Sequence, residues 1–139
     1  MEVDIAVIAD GANVSQEGKL NILGVFDTIW TPEFPFRHST MVFVVRMKAD
    51  FTEQGPHRMD VRLMDADGGQ LFRAEGPMQV PGSAPGRPLK PHVIMALNGV
   101  SFAKAGDYSF EVIVDGQHMK SVPLYVMSTP PGPSPGHVA

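Results

Sequence analysis

Along most of the chain, apolar and polar residues alternate with a period of two, the spacing of side chains on a β-strand. Val3, Ile5, Val7 and Ala9 alternate with Asp4, Ala6, Ile8 and Asp10. The second set is itself partly apolar, so this first strand is expected to be covered on both sides. Ser15-Gln16-Glu17-Gly18 reads as a turn, with Gly18 free to take a positive φ. Lys19 to Trp30 returns as the second arm of a hairpin. Its alternation slips near Gly24, which predicts a bulge or bend there. Thr31-Pro32-Glu33-Phe34-Pro35-Phe36 holds prolines that lack the N–H of a sheet ladder, so it is expected to cross between strands.

From Thr40 to Asp50, Met41, Phe43, Val45 and Met47 share one face. Val42 and Val44, followed by Arg46, Lys48 and Asp50, share the other. Asp50 to His57 reads as a turn region. Arg58 to Asp65 places Met59, Val61 and Leu63 inward and Arg58, Asp60 and Arg62 outward. Asp65 to Gln70 is a hairpin turn, and Leu71 to Glu75 is its return. Pro81, Pro85, Pro88 and Pro91 mark Val80 to Pro91 as a connecting loop. His92 to Phe102 is a further strand, with a break expected at Asn98-Gly99. Tyr108, Phe110, Val112 and Val114 lead into Asp115-Gly116, the strongest hairpin signal in the chain. Met119 to Met127 pairs back, and Pro123 marks an edge position or a bulge. No stretch carries the period of an amphipathic helix. About eight or nine strands at ~8–12-residue spacing predict an all-β, antiparallel two-sheet sandwich. A single domain is expected over residues 1–128, with a disordered Pro/Gly-rich tail over 129–139.

Composition narrows the chemistry. The 139 residues include 14 Gly, 13 Pro and no Cys. The surplus of Gly and Pro is used as turns, irregular crossings and tail. Without cysteine there are no disulfides, thiolate zinc sites, iron–sulfur clusters or cysteine nucleophiles, and a reducing compartment fits. A net charge of −4 with scattered basic residues gives no footprint for nucleic acid. No apolar run approaches the ~18 residues of a membrane helix, and Glu2 and Asp4 stand where a signal peptide is basic. The expectation is a cytoplasmic protein that binds neither nucleic acid nor membrane.

Two stretches resemble known families. Gly18-Lys19-Leu20-Asn21-Ile22-Leu23-Gly24-Val25-Phe26-Asp27, followed by Phe34-Pro35 and His38, resembles an uncharacterised bacterial family of short β-sandwich proteins. That family is a domain of unknown function, so the resemblance implies a fold and no activity. Gly106-Asp107-Tyr108-Ser109-Phe110-Glu111-Val112 up to Asp115-Gly116 is similar to the late hairpin of immunoglobulin-like sandwiches. In such a hairpin the tyrosine ring is buried while its hydroxyl finds a backbone partner.

Candidate sites are few. Asp65-Ala66-Asp67-Gly68-Gly69 begins like a calcium loop, but Gly69 and Gly76 stand where further oxygen ligands are needed, so a solvated turn is expected. Asp10-Gly11-Ala12-Asn13 is read as a bend rather than a metal cradle. His38, His57, His92, His118 and His137 show no ligand spacing, and His38 is expected to pin the crossing segment by a hydrogen bond. A small hydrolase or metal enzyme would require one of them to meet an acid in a pocket. No catalytic, metal or cofactor residue is assigned. The segment Trp30 to Phe36 either plugs one end of the sandwich, with Trp30 in the core, or forms an apolar patch. Under the second reading Trp30, Phe34 and Phe36 contact a partner, joined by Arg87 and Lys90 at the basic tip of the Pro-rich loop. The function expected is a non-catalytic interaction or structural module that binds a protein or itself as a homo-oligomer. A carbohydrate-binding sandwich using Trp30, Tyr108 or Tyr125 is the alternative.

Overall fold

Among the described residues the alternating segments form nine strands: β1 (Glu2–Val14), β2 (Leu20–Phe26), β3 (Thr28–Thr31), β4 (Phe36–Lys48), β5 (Gly55–Met64), β6 (Gln70–Val80), β7 (His92–Phe102), β8 (Gly106–Val114) and β9 (Gln117–Ser128). A short 3-10 turn, Phe51–Glu53, precedes β5. The structure, a computed structural model, describes residues 1–82 and 86–129. The strands make two sheets, ordered β2-β1-β4-β7 and β3-β9-β8-β5-β6. The fold is thus an all-β sandwich, as the alternation predicts. Every pairing is antiparallel except β3 with β9, which run parallel.

That exception has a local cause. The second arm does not remain one strand. It leaves the first sheet at Asp27 and continues in the other as β3, beside β9. There Tyr125 N–H donates to the Asp27 carbonyl at 2.7 Å, and Thr129 N–H to the Thr31 carbonyl at 2.8 Å. The break therefore falls at Asp27, three residues past Gly24. The β1–β2 register runs through Gly24 unchanged, with Ala9 opposite Val25 and Gly11 opposite Leu23. Gly24 has φ 72°, and a Cβ there would collide with the Asp10 carboxylate.

The core lies between the sheets. Met41, Phe43, Val45 and Met47 of β4 meet Val61 and Leu63 of β5, Phe110 and Val112 of β8, and Leu124 and Val126 of β9. Phe43 and Phe110 are fully buried and stack across the gap, centroids 4.4 Å apart and planes 7° from parallel. Tyr108 is buried against Phe102, and its hydroxyl donates to the Lys104 carbonyl at 2.6 Å. With no disulfide in the chain, this packing holds the sheets together.

Several boundaries differ from expectation. β1 runs on to Val14, so Asp10 to Asn13 is strand rather than bend. A register shift between Val3 and Ile5 flips the faces of β1. Ala6 and Ile8 then pack towards the core, while Val7 and Ala9 face the outer side, opposite Val44 and Val42. β4 begins at Phe36, so the crossing shrinks to residues 32–35 and includes a cis Phe34–Pro35 peptide. β7 passes Asn98-Gly99 unbroken because Gly99 takes φ 70°. β5 lies between β8 and β6, an interior strand of its sheet. The Pro-rich loop is tied at its far end, where buried Leu89 exchanges backbone hydrogen bonds with Ala49 at 2.7 and 2.8 Å. Residues 83–85 of that loop, and the expected tail beyond Thr129, lie outside the described residues.

Candidate functional site

β2 and β3 are edge strands of opposite sheets, joined through Asp27. On β3 the alternation buries Ile29 and Thr31 and turns Trp30 outward, where it is 60% exposed. The reading of Trp30 as part of a core plug is overturned, because the sheet switch at Asp27 sets which residues face in. Phe34 and Phe36 are half-buried and pack against the core, so they do not share the surface with Trp30 to the same extent. Trp30 lies opposite Met127 and Thr28 opposite Tyr125, and both β9 side chains are exposed beside the tryptophan. Across the corner, Leu23 and Val25 of β2 are 75% and 61% exposed.

A cleft of about 370 Å³ opens at this corner, lined by Asp10, Val25, Phe26, Trp30, Phe36 and His38 among others. His38 sits between Phe26 and Phe36, with ring centroids 6.1 and 5.9 Å away. Its Nε2 is buried and has no hydrogen-bond partner among the described residues, contrary to the pinning role expected of it. Arg87 and Lys90 are not part of this surface. Arg87 lines a separate cleft with Lys48, Asp50 and Phe51, and Lys90 Nζ lies 3.9 Å from Asp4. Of the five residues expected to contact a partner, Trp30 alone is both exposed and at the corner, with Phe36 behind it in the cleft wall.

Histidine–acid contacts do occur, as a hydrolytic reading requires. His57 Nδ1 donates to Asp115 Oδ2 at 2.6 Å, and Nε2 donates to the Glu53 carbonyl at 2.6 Å. Asp115 Oδ1 accepts the Arg58 N–H at 2.8 Å. With both ring nitrogens engaged, His57 has no free lone pair to act as a base. His118 Nε2 lies 3.0 Å from Glu111 Oε2 and 3.2 Å from Ser121 Oγ, and Ser121 itself donates to Glu111. A triad needs acid and serine on opposite ring nitrogens, whereas here one nitrogen meets both. Among the described residues no group of three or more His, Asp or Glu could hold a metal ion.

Several other charged groups pair with one another. On the outer side of β5 and β6, Asp60 accepts from Arg62 at 2.8 Å and Arg73 at 3.1 Å. Arg73 also reaches Glu75 at 2.6 Å, and Arg58 donates to Glu75 as well. The Arg62 hydrogen bond leads in holding the Asp60 carboxyl below its usual range, against the effect of burial. Asp65 spends Oδ1 on the N–H groups of Asp67 and Gly69, at 2.9 and 2.7 Å, which closes the hairpin turn expected there. Sequence spacing gave no route to the His57–Asp115 contact, since 58 residues separate the partners.

These features define a nine-stranded β-sandwich with an aromatic corner at two edge strands. The chain belongs to the family of unknown function DUF6941, whose pattern matches residues 4–127. The hairpin resemblance from Gly18 to Asp27 pointed to such a domain of unknown function. No curated protein matches the chain.

Proposed function

We propose that this protein is a non-catalytic interaction module that docks a protein partner at the β2–β3 corner. The observation that carries the reading is Trp30, exposed on a four-residue edge strand between Val25 on one side and Tyr125 and Met127 on the other. Exposed aromatics at the centre of a patch are the usual anchors of protein interfaces. The free backbone groups of β2 and β3 offer an extended partner segment a ladder to join. The buried Tyr108 with its hydroxyl on Lys104 supports an immunoglobulin-like sandwich within this reading. The lack of cysteine fits a reducing, cytoplasmic setting, and the resemblance of the Gly18–Asp27 hairpin to a bacterial family favours a bacterial one. No helix of the described residues is long and apolar enough to cross a membrane. The carbohydrate alternative draws on Trp30 and Tyr125, but Tyr125 pairs with Thr28, so the two rings are offset along neighbouring strands.

The test is comparative capture from native lysate with the wild type and Trp30→Ala. The variant is expected to stay folded by circular dichroism and to lose the proteins that the wild type retains. Because the chain has one tryptophan, the same partner should shift its emission to the blue. Equal capture by Trp30→Ala, or an emission unmoved by a retained partner, refutes docking at the corner.

A further inference from the structure

The cleft at the β2–β3 corner holds polar groups that the chain itself does not match. We propose that it receives an arginine side chain from an extended partner segment; this rests on partner docking at that corner.

Three features converge on the cleft. The first is a free acid. Asp10 follows Ala6 and Ile8 along the core-facing side of β1. Its carboxylate leans over Gly24 of β2, into the space that a Cβ there would take. Asp10 is exposed and makes no ion pair or side-chain hydrogen bond among the described residues. The second is the buried Nε2 of His38, which has no partner among them either. A neutral imidazole carries one bare nitrogen that accepts a hydrogen bond, and a buried acceptor left unmatched is costly. The third is aromatic surface. Phe26 and Phe36 flank His38, and Trp30 lines the same cleft. At about 370 Å³ the cleft is of a size that small ligand groups fill.

Charge selects the occupant. Asp4, Asp60 and Glu75 each have an arginine of this chain beside them. Among the described residues no lysine or arginine lines the corner cleft. A second acid, Asp27, lines an adjoining cleft that shares Val25 and Phe26, and its printed partner is the neutral Thr28 hydroxyl. An anionic partner meets two uncompensated carboxylates here. A purely apolar one leaves both Asp10 and His38 unmatched. A cation with several donors serves both. Arginine suits the cleft better than lysine, because its guanidinium is flat, stacks on aromatic rings and forks its N–H groups. One side of the fork meets Asp10, another N–H supplies His38 Nε2, and the apolar stem covers Phe26.

The probe is the peptide acetyl-Thr-Val-Arg-Val-Thr-amide, whose β-branched residues favour an extended form. Two control peptides carry lysine or citrulline, the neutral isostere, in place of arginine. Each is titrated to about 2 mM at constant ionic strength, with the emission of the chain's one tryptophan as readout, so that dissociation constants up to the millimolar range are resolved. The arginine peptide should shift the emission and saturate. The lysine and citrulline peptides should bind about tenfold more weakly. Asp10→Asn should remove the preference for arginine over citrulline while circular dichroism stays unchanged. An emission that the arginine peptide leaves unmoved overturns the proposal. So does a lysine or citrulline peptide that binds as tightly, or an Asp10→Asn chain that keeps the preference. Lysate capture judges the corner separately: a partner lost with Trp30→Ala but retained by Asp10→Asn leaves docking at the corner standing and removes the arginine.

Discussion

His57→Gln removes a charged ring that ties the 3-10 turn to the β8–β9 hairpin. His57 donates from both nitrogens at 2.6 Å, to Asp115 and to the Glu53 carbonyl. Neither acceptor carries a proton, so serving both requires the doubly protonated ring. Glutamine keeps an amide donor but loses the charge and one bond. A charge-assisted bond contributes about 1.5–3 kcal/mol when shielded. Asp115 is 51% exposed, so solvent screening brings the expected loss to the lower end. A loss of about 1.5 kcal/mol, over an unfolding entropy of about 2.1 cal/mol/K per residue, lowers Tm by about 5 °C.

The pH dependence carries the sharper test. The Asp115 carboxylate, then the Glu53 carbonyl, raise the His57 pKa above its ordinary 6.5, against the effect of burial. The stabilisation from His57 is therefore complete below pH 6.5 and fades as pH climbs through the raised folded value. Asp115 is held below its ordinary 3.8, by His57 first and then by the Arg58 N–H. Its share is present above that value and is lost as pH falls through the folded one. The Glu53 carboxylate also faces the ring and is itself held low, by the Asp50 N–H first. The Arg58 guanidinium is taken up by Glu75. Thermal unfolding followed by circular dichroism should show the full gap between wild type and His57→Gln at about pH 5.5 and a smaller one at about pH 9. A gap that is constant, or that grows towards alkaline pH, refutes the doubly protonated ring.

Other substitutions probe the core. Phe43→Ala and Phe110→Ala should each destabilise by about 3–5 kcal/mol in urea unfolding. Because the two rings stack, the double variant should lose about 1 kcal/mol less than the sum, and strict additivity would contradict the contact. Tyr108→Phe removes the hydrogen bond to the Lys104 carbonyl and should lower stability by about 1 kcal/mol, with Tm as the readout.

Local chemistry was legible wherever one short segment decides its own conformation. Asp115-Gly116 reads as a two-residue hairpin turn, and the pair takes φ 51° and 80°. Gly18 and Gly68 likewise take positive φ in their turns. What could not be read was strand phase, because one extra residue reverses every face beyond it. The bulge between Val3 and Ile5 put Val7 and Ala9 on the outside, and no residue type announces it. Trp30 was undecided for the same reason: its direction follows from a sheet switch at Asp27, which depends on a partner strand 97 residues later. The candidate site was therefore half visible, as an aromatic residue of unknown orientation.

The parallel pairing of β3 with β9 also orders events in time. Thr28 pairs with Tyr125, so β3 has no strand to join until the 97 residues that separate them have been made. Its neighbours β2 and β1 can pair at once through a short hairpin, while β3 waits for β9. Closing so long a loop is a slow step in forming a non-local sheet. Until then Ile29, destined for the core, stays open to solvent. The nascent sandwich thus carries an unsealed seam, and synthesis of β9 is the event that closes it.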